Sequence, residues 1–313
     1  MHTTLIDPAT FASHLGDPLW VVIDCRFDLT DTAKGEREFA AGHIPGARYA
    51  DLDRHLSAGK TGTNGRHPMP SPAEMRARFG ALGIGPRCQV VAYDADNGIY
   101  AARLWWMLRY MSHDAVAVLN GGFARWTAEG RATESDPPVN APAAFQGEPR
   151  AGWLLTVHDV AEIVRTRSSS APSAAPAASV QSAPSSAPAS SASSAAPASS
   201  VLVDARSPER FLGIGETLDR VGGHIPGARN FFYQRSLALD KTLKPADDLR
   251  WQWDEVLKGR DPRSVVMYCG SGVTACHNLL SMEVAGLSGG RIFAGSWSEW
   301  SADPSLPVAI DTD

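Results

Sequence analysis

The chain contains the same sequence blocks twice, in the same order, and this internal repeat constrains the fold more than any other feature. The block Gly-His-Ile-Pro-Gly-Ala-Arg occurs unchanged in both halves. The repeated blocks, each with its counterpart, are 21–26 with 201–206, 42–48 with 223–229, 90–93 with 265–268, and 121–126 with 295–300. Such a repeat predicts that one structural unit is used twice, and 313 residues suffice for each unit to bury its own core.

Each half alternates short apolar runs with segments of helical composition. The predicted strands are 19–24, 89–93, 115–119, 201–204, 264–268 and 290–293, and the predicted helices are 72–82, 99–111, 247–258 and 274–285. Apolar runs without polar alternation are typical of strands buried on both faces. Alternation of strands with helices predicts an α/β fold in which each domain is a mostly parallel sheet flanked by helices. We place the domains at 1–140 and 150–313, with the Pro-rich stretch 136–149 as the linker.

Residues 168–200 consist almost entirely of Ser, Ala and Pro. Such a segment buries too little apolar surface to offset its chain entropy, so we predict that it is disordered. A capped helix is predicted just before it, at 156–167, and the first strand of the second repeat follows it at Val201. The segment is therefore expected to be a surface insertion within the second domain, not the domain boundary.

Composition and charge exclude several classes of function. The net charge of −5 provides no basic field for nucleic acid or an anionic membrane. The sequence has no apolar run of roughly 18 residues and no apparent secretory signal. The four cysteines lack a C-x-x-C pair, which argues against a zinc ribbon and against a disulfide framework. We expect a cytoplasmic protein with no nucleic-acid or membrane partner and no metal site.

The strongest chemical signal is the segment Cys-Gly-Ser-Gly-Val-Thr that starts at Cys269, directly after the predicted strand 264–268. Ligands bind at the carboxyl ends of strands in open α/β sheets. Glycines in the loop allow successive backbone N–H groups to converge on one point, and the following helix adds its positive end. This environment activates a thiol and holds an anion. The loop residues expected to bind the substrate are Gly270, Gly272, Val273 and Thr274.

The first half serves as an internal control for this loop. Its matching segment is Asp-Ala-Asp-Asn-Gly at 94–98, and aligning Gly98 with Gly272 places Ala95 opposite Cys269. The first domain is therefore expected to share the fold but to lack the nucleophile. The simpler alternative, a buried core cysteine beside a tight turn, is disfavoured by the loop around Cys269.

The other recurring or candidate residues are expected to be structural. His43 and His224 occur in both halves, including the half without the cysteine, which favours a role in the turn. Cys25 and Cys88 lack the surroundings of a reactive thiol. Cys276, on the helix after the loop, is expected to be packed in the core.

Together, the two GHIPGAR blocks, the strand-to-loop cysteine and the paired Trp motifs resemble the tandem-domain rhodanese sulfurtransferases over nearly the whole chain apart from 168–200. The loop CGSGVT resembles that of the 3-mercaptopyruvate sulfurtransferase type, whereas thiosulfate-preferring relatives resemble CRKGVT. The resemblance implies a sulfurtransferase that carries sulfur as a persulfide on Cys269, without cofactor or metal. It implies 3-mercaptopyruvate as the donor. The implied acceptor is either cyanide or a thiol, such as thioredoxin or a low-molecular-weight thiol.

The same resemblance implies roles for residues outside the loop. Arg210 and Arg220 would grip the carboxylate and keto oxygen of mercaptopyruvate; Arg210 matches the family pattern directly and Arg220 after a one-residue shift. Arginine suits this role because its planar fork pairs with a carboxylate. Ser271, His67 and Asp53 would form a relay, similar to that of serine proteases, that handles protons at the sulfur.

Three alternatives remain open at this stage. A thiosulfate:cyanide sulfurtransferase would differ in donor preference. A phosphatase of related fold would use Cys-x5-Arg, but the sixth position after Cys269 is Ala275. A non-catalytic binding or sulfide-sensing module would form no persulfide.

Overall fold

The computed structural model describes residues 1–136, 141–170 and 200–311. The first domain contains strands β1 (Leu5–Ile6), β2 (Trp20–Asp24), β3 (Arg48–Tyr49), β4 (Gln89–Tyr93) and β5 (Val116–Leu119), and helices α1 (Pro8–Ala12), α2 (Lys34–Ala41), α3 (Pro72–Ala81), α4 (Ile99–Tyr110) and α5 (Gly122–Ala128). The second contains β6 (Leu154–Leu155), β7 (Val201–Asp204), β8 (Arg229–Asn230), β9 (Val265–Tyr268) and β10 (Arg291–Phe293), helices α6 (Val157–Ser170), α7 (Pro208–Phe211), α8 (Ala246–Leu257), α9 (Thr274–Val284) and α10 (Ser296–Trp300), and 3₁₀ turns at Tyr233–Ser236 and Pro262–Ser264.

The two sheets have the same topology. The strand order is β1-β5-β4-β2-β3 in the first domain and β6-β10-β9-β7-β8 in the second, and the pairs between these strands are parallel. The central strands β4 and β9 are buried along their whole length, which explains their unbroken apolar sequence. The predicted α/β fold of two parallel sheets flanked by helices is confirmed.

The repeated sequence blocks make the same contacts in both domains. Arg26 forms an ion pair with Asp24 and donates to the carbonyl of Gly42, at the start of the first GHIPGAR block. In the second domain, Arg206 binds Asp204 and the carbonyl of Gly223 in the same way. These buried ion pairs tie the second strand of each repeat to the GHIPGAR turn, which accounts for the joint recurrence of the two blocks.

The domains meet along helices α4 and α9, whose residues 101–108 and 275–282 are buried. Both helices are apolar on most sides because each packs between its own sheet and the helix of the other domain. Polar groups cross this interface at equivalent loops. Arg103 of α4 donates to the carbonyl of Gly272 (3.1 Å), and His277 Nε2 of α9 donates to the carbonyl of Asn97 (3.1 Å).

The segments between the domains differ in detail from expectation. Within the predicted linker, residues 137–140 lie outside the described part, and Phe145 packs edge-on against Phe79 (5.1 Å) of the first domain. Helix α6 begins after Thr156, whose side chain accepts from the Asp159 N–H, and it extends to Ser170. The prediction of disorder at 168–200 therefore does not hold at 168–170, and its residues 171–199 lie outside the described residues.

Among the helices of the described ranges, none is both long and apolar enough to cross a membrane.

Candidate active site

Cys269 lies at the carboxyl end of β9, at the start of a tight loop that leads into α9. Its Sγ accepts a hydrogen bond from the Gly272 N–H (3.1 Å), and its own N–H donates to Ser296 Oγ (3.1 Å). Gly272 has φ +78°, and a Cβ at this position would lie 2.3 Å from the Ala294 carbonyl oxygen. Only glycine therefore allows the loop to curl so closely that its amide faces the sulfur.

The corresponding loop of the first domain carries a carboxylate where the second carries the thiol. Tyr93 and Tyr268 end equivalent strands, and the carbonyls of Asp94 and Cys269 accept equivalent hydrogen bonds from α5 and α10. Asp94 is thus the counterpart of Cys269. The alignment that placed Ala95 there was wrong by one residue, because Gly98 matches Val273 and not Gly272.

Asp94 shows what such a loop can bind. Its carboxylate accepts from the N–H groups of Gly98 and Tyr100, both at 2.9 Å, and from that of Ala101 at 3.4 Å. Burial raises the pKa of Asp94 to about 6, and these N–H groups oppose the rise because they favour the charged carboxylate. In the first domain the N–H groups at the end of the loop and in the first turn of α4 are therefore occupied by a carboxyl side chain of the loop itself.

Ser271, His67 and Asp53 come together across the domain interface. His67 Nδ1 lies 2.8 Å from Ser271 Oγ, and His67 Nε2 lies 3.7 Å from Asp53 Oδ1. Burial lowers the pKa of His67 to about 4, and Arg103 contributes to the decrease, so the imidazole is neutral at pH 7. With the Nε2 proton toward Asp53, Nδ1 accepts a hydrogen bond from the Ser271 hydroxyl. Lys60 is 2.9 Å from the same Asp53 oxygen.

Arg103 contacts both the segment that carries His67 and the loop after Cys269. It is fully buried on α4 and donates to the carbonyls of Leu56, His67 and Gly272 at 3.1–3.4 Å. The carbonyls of Leu56 and His67 belong to the first domain, and the carbonyl of Gly272 belongs to the loop after Cys269. A single guanidinium therefore fixes the positions of both segments and brings a positive charge beneath the loop.

Two arginines, one from each domain, converge on the solvent side of the loop. A Cβ built on Gly270 would lie 2.7 Å from Nη2 of Arg66 and 3.4 Å from Nη1 of Arg210. The opposite edge of Arg210 binds Glu216, and Nη1 of Arg66 is paired with Asp219. One nitrogen of each guanidinium is thus directed toward the space next to Gly270.

Arg220 is not part of this arrangement. Its Nε donates to the carbonyl of Ser301 (2.6 Å), and its side chain lines a neighbouring depression that does not contain Cys269. The resemblance placed Arg220 beside Arg210 only after a shift of one residue. The structure brings Arg66 of the first domain to the position where a second arginine was expected.

The cavity above Cys269 has a volume of about 460 Å³. Its polar side is formed by Asp53 and His67, by the loop after Cys269 and by the arginines. Aromatic and aliphatic side chains from both domains form the other side, namely Phe27, Leu29, Ile99, Tyr100, Leu218, Phe232 and Tyr233. Of the predicted site residues, the cavity is lined by Asp53, His67, Arg210, Cys269, Gly270, Ser271, Val273 and Thr274. Within the described ranges, no three His, Cys, Asp or Glu side chains are grouped to hold a metal ion.

The remaining candidates have structural contacts. His43 Nδ1 bonds to the carbonyl of Phe39, and His224 Nδ1 to that of Phe211, both at 2.8 Å. Cys276 donates to the carbonyl of Gly272 (3.3 Å), and burial raises the pKa of its thiol to about 12.

Four residues of the site were not predicted from the sequence, namely Arg66, Arg103, Glu216 and Asp219. Arg66 directly precedes His67, and Arg103 is a lone cation within an apolar helix, so each carried a weak local signal. Glu216 and Asp219 lie between Arg210 and Arg220, outside the sequence blocks that recur in the first half.

Comparison with known proteins places this geometry in a family. The rhodanese-like domain family matches residues 7–129 and 189–303. A probable 3-mercaptopyruvate sulfurtransferase of Pseudomonas aeruginosa is 39% identical over 97% of both chains, and a thiosulfate sulfurtransferase of Cricetulus griseus is 30% identical over 92% of this chain and 88% of that one. The structure of the 3-mercaptopyruvate sulfurtransferase of Leishmania major is similar with a TM-score of 0.77 and 30% identity, covering 96% of this chain and 74% of that one. The chain therefore belongs to the rhodanese family and is a tandem-domain sulfurtransferase.

Proposed function

We propose that 3-mercaptopyruvate is the favoured sulfur donor and that the sulfur is carried as a persulfide on Cys269. The observation that carries this proposal is the pair of guanidinium nitrogens of Arg66 and Arg210 next to Gly270, one residue from Cys269. An α-keto acid presents a carboxylate and a keto oxygen, which these N–H donors suit. The catalytic loop itself has no cationic side chain to attract the thiosulfate dianion.

In the first half-reaction, the Cys269 thiolate attacks the sulfur of mercaptopyruvate. An S–S bond forms, the C–S bond breaks, and its electron pair leaves on the enolate of pyruvate. The proton of the substrate thiol is then available to protonate the enolate carbon. Ser271 and neutral His67 are hydrogen-bonded to each other beside the sulfur, and they are the groups that can pass this proton.

The persulfide anion would be stabilised by the loop amides. The Gly272 N–H already donates to the Cys269 sulfur, and in the first domain the N–H of Gly98, the counterpart of Val273, donates to the Asp94 carboxylate. In the second half-reaction a thiol, such as thioredoxin or a small thiol, or cyanide attacks the outer sulfur and releases the Cys269 thiolate. The cycle is a double displacement and requires no cofactor.

The test compares two donors with cyanide as the common acceptor. Pyruvate release from mercaptopyruvate should have a higher kcat/KM than thiocyanate formation from thiosulfate. Mass spectrometry after one donor addition without acceptor should show one additional sulfur on the peptide that contains Cys269. A Cys269→Ser variant should fold and show neither result, whereas Cys88→Ala should retain both. Turnover by Cys269→Ser, or a donor preference for thiosulfate, would contradict the proposal.

A further inference from the structure

Two buried carboxylates, those of Glu216 and Asp219, form ion pairs with Arg66 and Arg210 on the side of each guanidinium that faces away from Gly270. Glu216 accepts from Nε and Nη2 of Arg210 at 2.9–3.0 Å. Asp219 accepts from Nη2 of Arg210 (3.1 Å) and pairs with Nη1 of Arg66. Both carboxylate side chains are only 4% exposed. The contacts are therefore poorly screened by water, and they leave the opposite nitrogens for a ligand.

The local backbone keeps Glu216 in its charged form. Its Oε1 accepts from the N–H groups of Leu218 (2.9 Å) and Asp219 (3.2 Å). Burial opposes ionisation, but the Leu218 N–H and the Arg210 guanidinium outweigh it, and the pKa of Glu216 lies below its usual value. Burial raises the pKa of Asp219, and the guanidinium of Arg66 opposes this rise.

Every cation that lines the cavity in the described part of the chain is paired with a carboxylate. The pairs are Lys60 with Asp53, Arg66 with Asp219, Arg206 with Asp204, and Arg210 with Glu216. His67 is neutral at pH 7, since its pKa is about 4. The cavity wall therefore offers directed N–H donors whose charges are balanced by carboxylates, and the cation without a carboxylate partner, Arg103, lies beneath the loop and not in the wall.

We propose that Glu216 and Asp219 make the donor site selective for singly charged anions by neutralising Arg66 and Arg210. This inference rests on the proposed function, in which these arginines bind the donor. A carboxylate of mercaptopyruvate brings one negative charge, whereas thiosulfate brings two. The dianion is repelled twice as strongly by the carboxylates behind the arginines, although both anions use the same N–H groups.

The expected effect of removing one carboxylate charge follows from Coulomb's law. The repulsion between a carboxylate and the ligand is proportional to the ligand's charge, so it is twice as large for a dianion as for a monoanion. Removing the carboxylate charge therefore lowers the binding free energy of the dianion by one more charge–charge interaction than that of the monoanion. For unit charges roughly 7 Å apart in an effective dielectric of about 20–40, the donor ratio changes about tenfold or more.

Glu216→Gln and Asp219→Asn test this because they preserve shape and an acceptor oxygen for the arginine. We would measure kcat/KM for thiosulfate and for mercaptopyruvate with cyanide as acceptor, and take their ratio. The ratio should rise about tenfold or more in each variant. The matched control is Glu283→Gln, which removes a partly buried carboxylate 3.2 Å from Nη1 of Arg109 at the far end of α9. Both donor activities should be unchanged in that control.

A ratio that stays constant in both variants would overturn the inference, because the carboxylates would then only position the arginines. Loss of both activities in both variants, with thermal unfolding unchanged, would overturn it for the same reason. Calorimetry on Cys269→Ser, with and without each carboxylate substitution, measures the affinities for thiosulfate and for pyruvate without turnover. The ratio of these two affinities should shift in the same direction as the ratio of the kcat/KM values. A wild-type preference for thiosulfate would refute the proposed donor, while the shift of the ratio in the variants would still decide the inference.

Discussion

At the residue scale, the two repeats differ most informatively at Asp94 and Cys269, which occupy the same position. The loop amides surround a carboxylate in one domain and approach a thiol in the other. An anion-binding loop thus exists in both domains, and the identity of one side chain decides which loop can react. The catalytic loop could be recognised from sequence because its glycines and its cysteine are adjacent in the chain.

The other parts of the site could be predicted only in part. The family pattern indicated His67, Ser271 and Asp53, and the structure places them in contact range across the interface. For Arg66 the only local signal was its position before His67, and for Glu216 there was none, because Arg66 contacts Asp219, 153 residues away, and Glu216 acts through a buried ion pair. A local pattern contains no information about such contacts.

We expect Arg66→Ala and Arg210→Ala to lower kcat/KM for mercaptopyruvate about ten- to a hundredfold. Loss of one charge-assisted hydrogen bond to the substrate corresponds to about 1.5–3 kcal/mol. Arg220→Ala is the matched control, since this side chain faces a different depression, and its effect should stay below about threefold. Steady-state kinetics with a fixed acceptor measures all three. An Arg220→Ala loss as large as that of Arg66→Ala would show that the expectation from family resemblance was correct.

The His67 imidazole should remain neutral from pH 8 down to pH 5 and titrate near pH 4. The pKa is lowered mainly because the ring is buried, with a contribution from the Arg103 charge. NMR titration measures it directly, with the His67 signals assigned by comparison with His67→Asn. Because protonation favours the unfolded chain, the contribution of His67 to stability is complete above pH 6.5 and is lost as the pH falls toward 4. A titration midpoint near 6.5 would contradict this.

At the element scale, the predicted bounds of the central strands and of helices α3, α4, α8 and α9 agree with the structure to within about a residue, whereas α6 continues past the predicted end at 167 to Ser170. The predicted strand 89–93 and helix 274–285 correspond to Gln89–Tyr93 and Thr274–Val284. Buried parallel strands have an unmistakable apolar composition. The edge strands β1, β3, β6 and β8 have two residues each, too few for any periodic pattern.

The error in aligning the two loops also has a structural cause. Gly98 and Gly272 both have positive φ, near +79° and +78°, but they occupy successive positions relative to the following helix. Gly98 directly precedes α4, whereas Gly272 precedes Val273 and then α9. Matching glycine to glycine therefore shifted the loop by one residue.

Gly272→Ala should lower sulfur transfer by at least about a hundredfold. The new Cβ would lie 2.3 Å from the Ala294 carbonyl oxygen, so the loop must move and its amide must leave the Cys269 sulfur. Gly286→Ala is the control, because Gly286 also has a positive φ (+73°) but has no atom within 4 Å of the added Cβ. Both variants share the backbone strain, and only Gly272→Ala should lose activity at temperatures where both are folded. Equal losses would mean that the close approach is unimportant.

At the scale of the whole molecule, neither domain contains a complete site. The second supplies Cys269, Ser271 and Arg210, and the first supplies His67 and Arg66. The α4–α9 interface fixes their relative positions through the buried Arg103, which contacts both segments. Two-domain architecture followed from the repeat, and the family resemblance implied a site at the domain interface, through Ser271 with His67 and Asp53. The contacts of Arg103 that hold the two sides together came only from the structure.

The position of the Ser/Ala/Pro segment relative to the site leads to the last prediction. The described chain stops at Ser170 and resumes at Ser200, and the carbonyl of Ser200 accepts from Arg167, so the two ends lie close together. Ser200 leads into the amino end of β7, whereas Cys269 follows the carboxyl end of the parallel strand β9. The segment therefore joins the domain at the edge of the sheet opposite the cavity.

Deleting residues 171–199 and joining the ends with a short Gly/Ser turn should leave kcat and KM within about twofold of wild type for both donors. The deletion keeps helix α6 and the buried Ser200, and it shortens only a connection whose closure entropy grows slowly with length. A deletion of 168–200, which also removes Ser200 and the last residues of α6, serves as the comparison and should lower the melting temperature. A large rise in KM in the 171–199 deletion, with the melting temperature unchanged, would show that the segment reaches across the molecule to the cavity despite joining the sheet at its opposite edge.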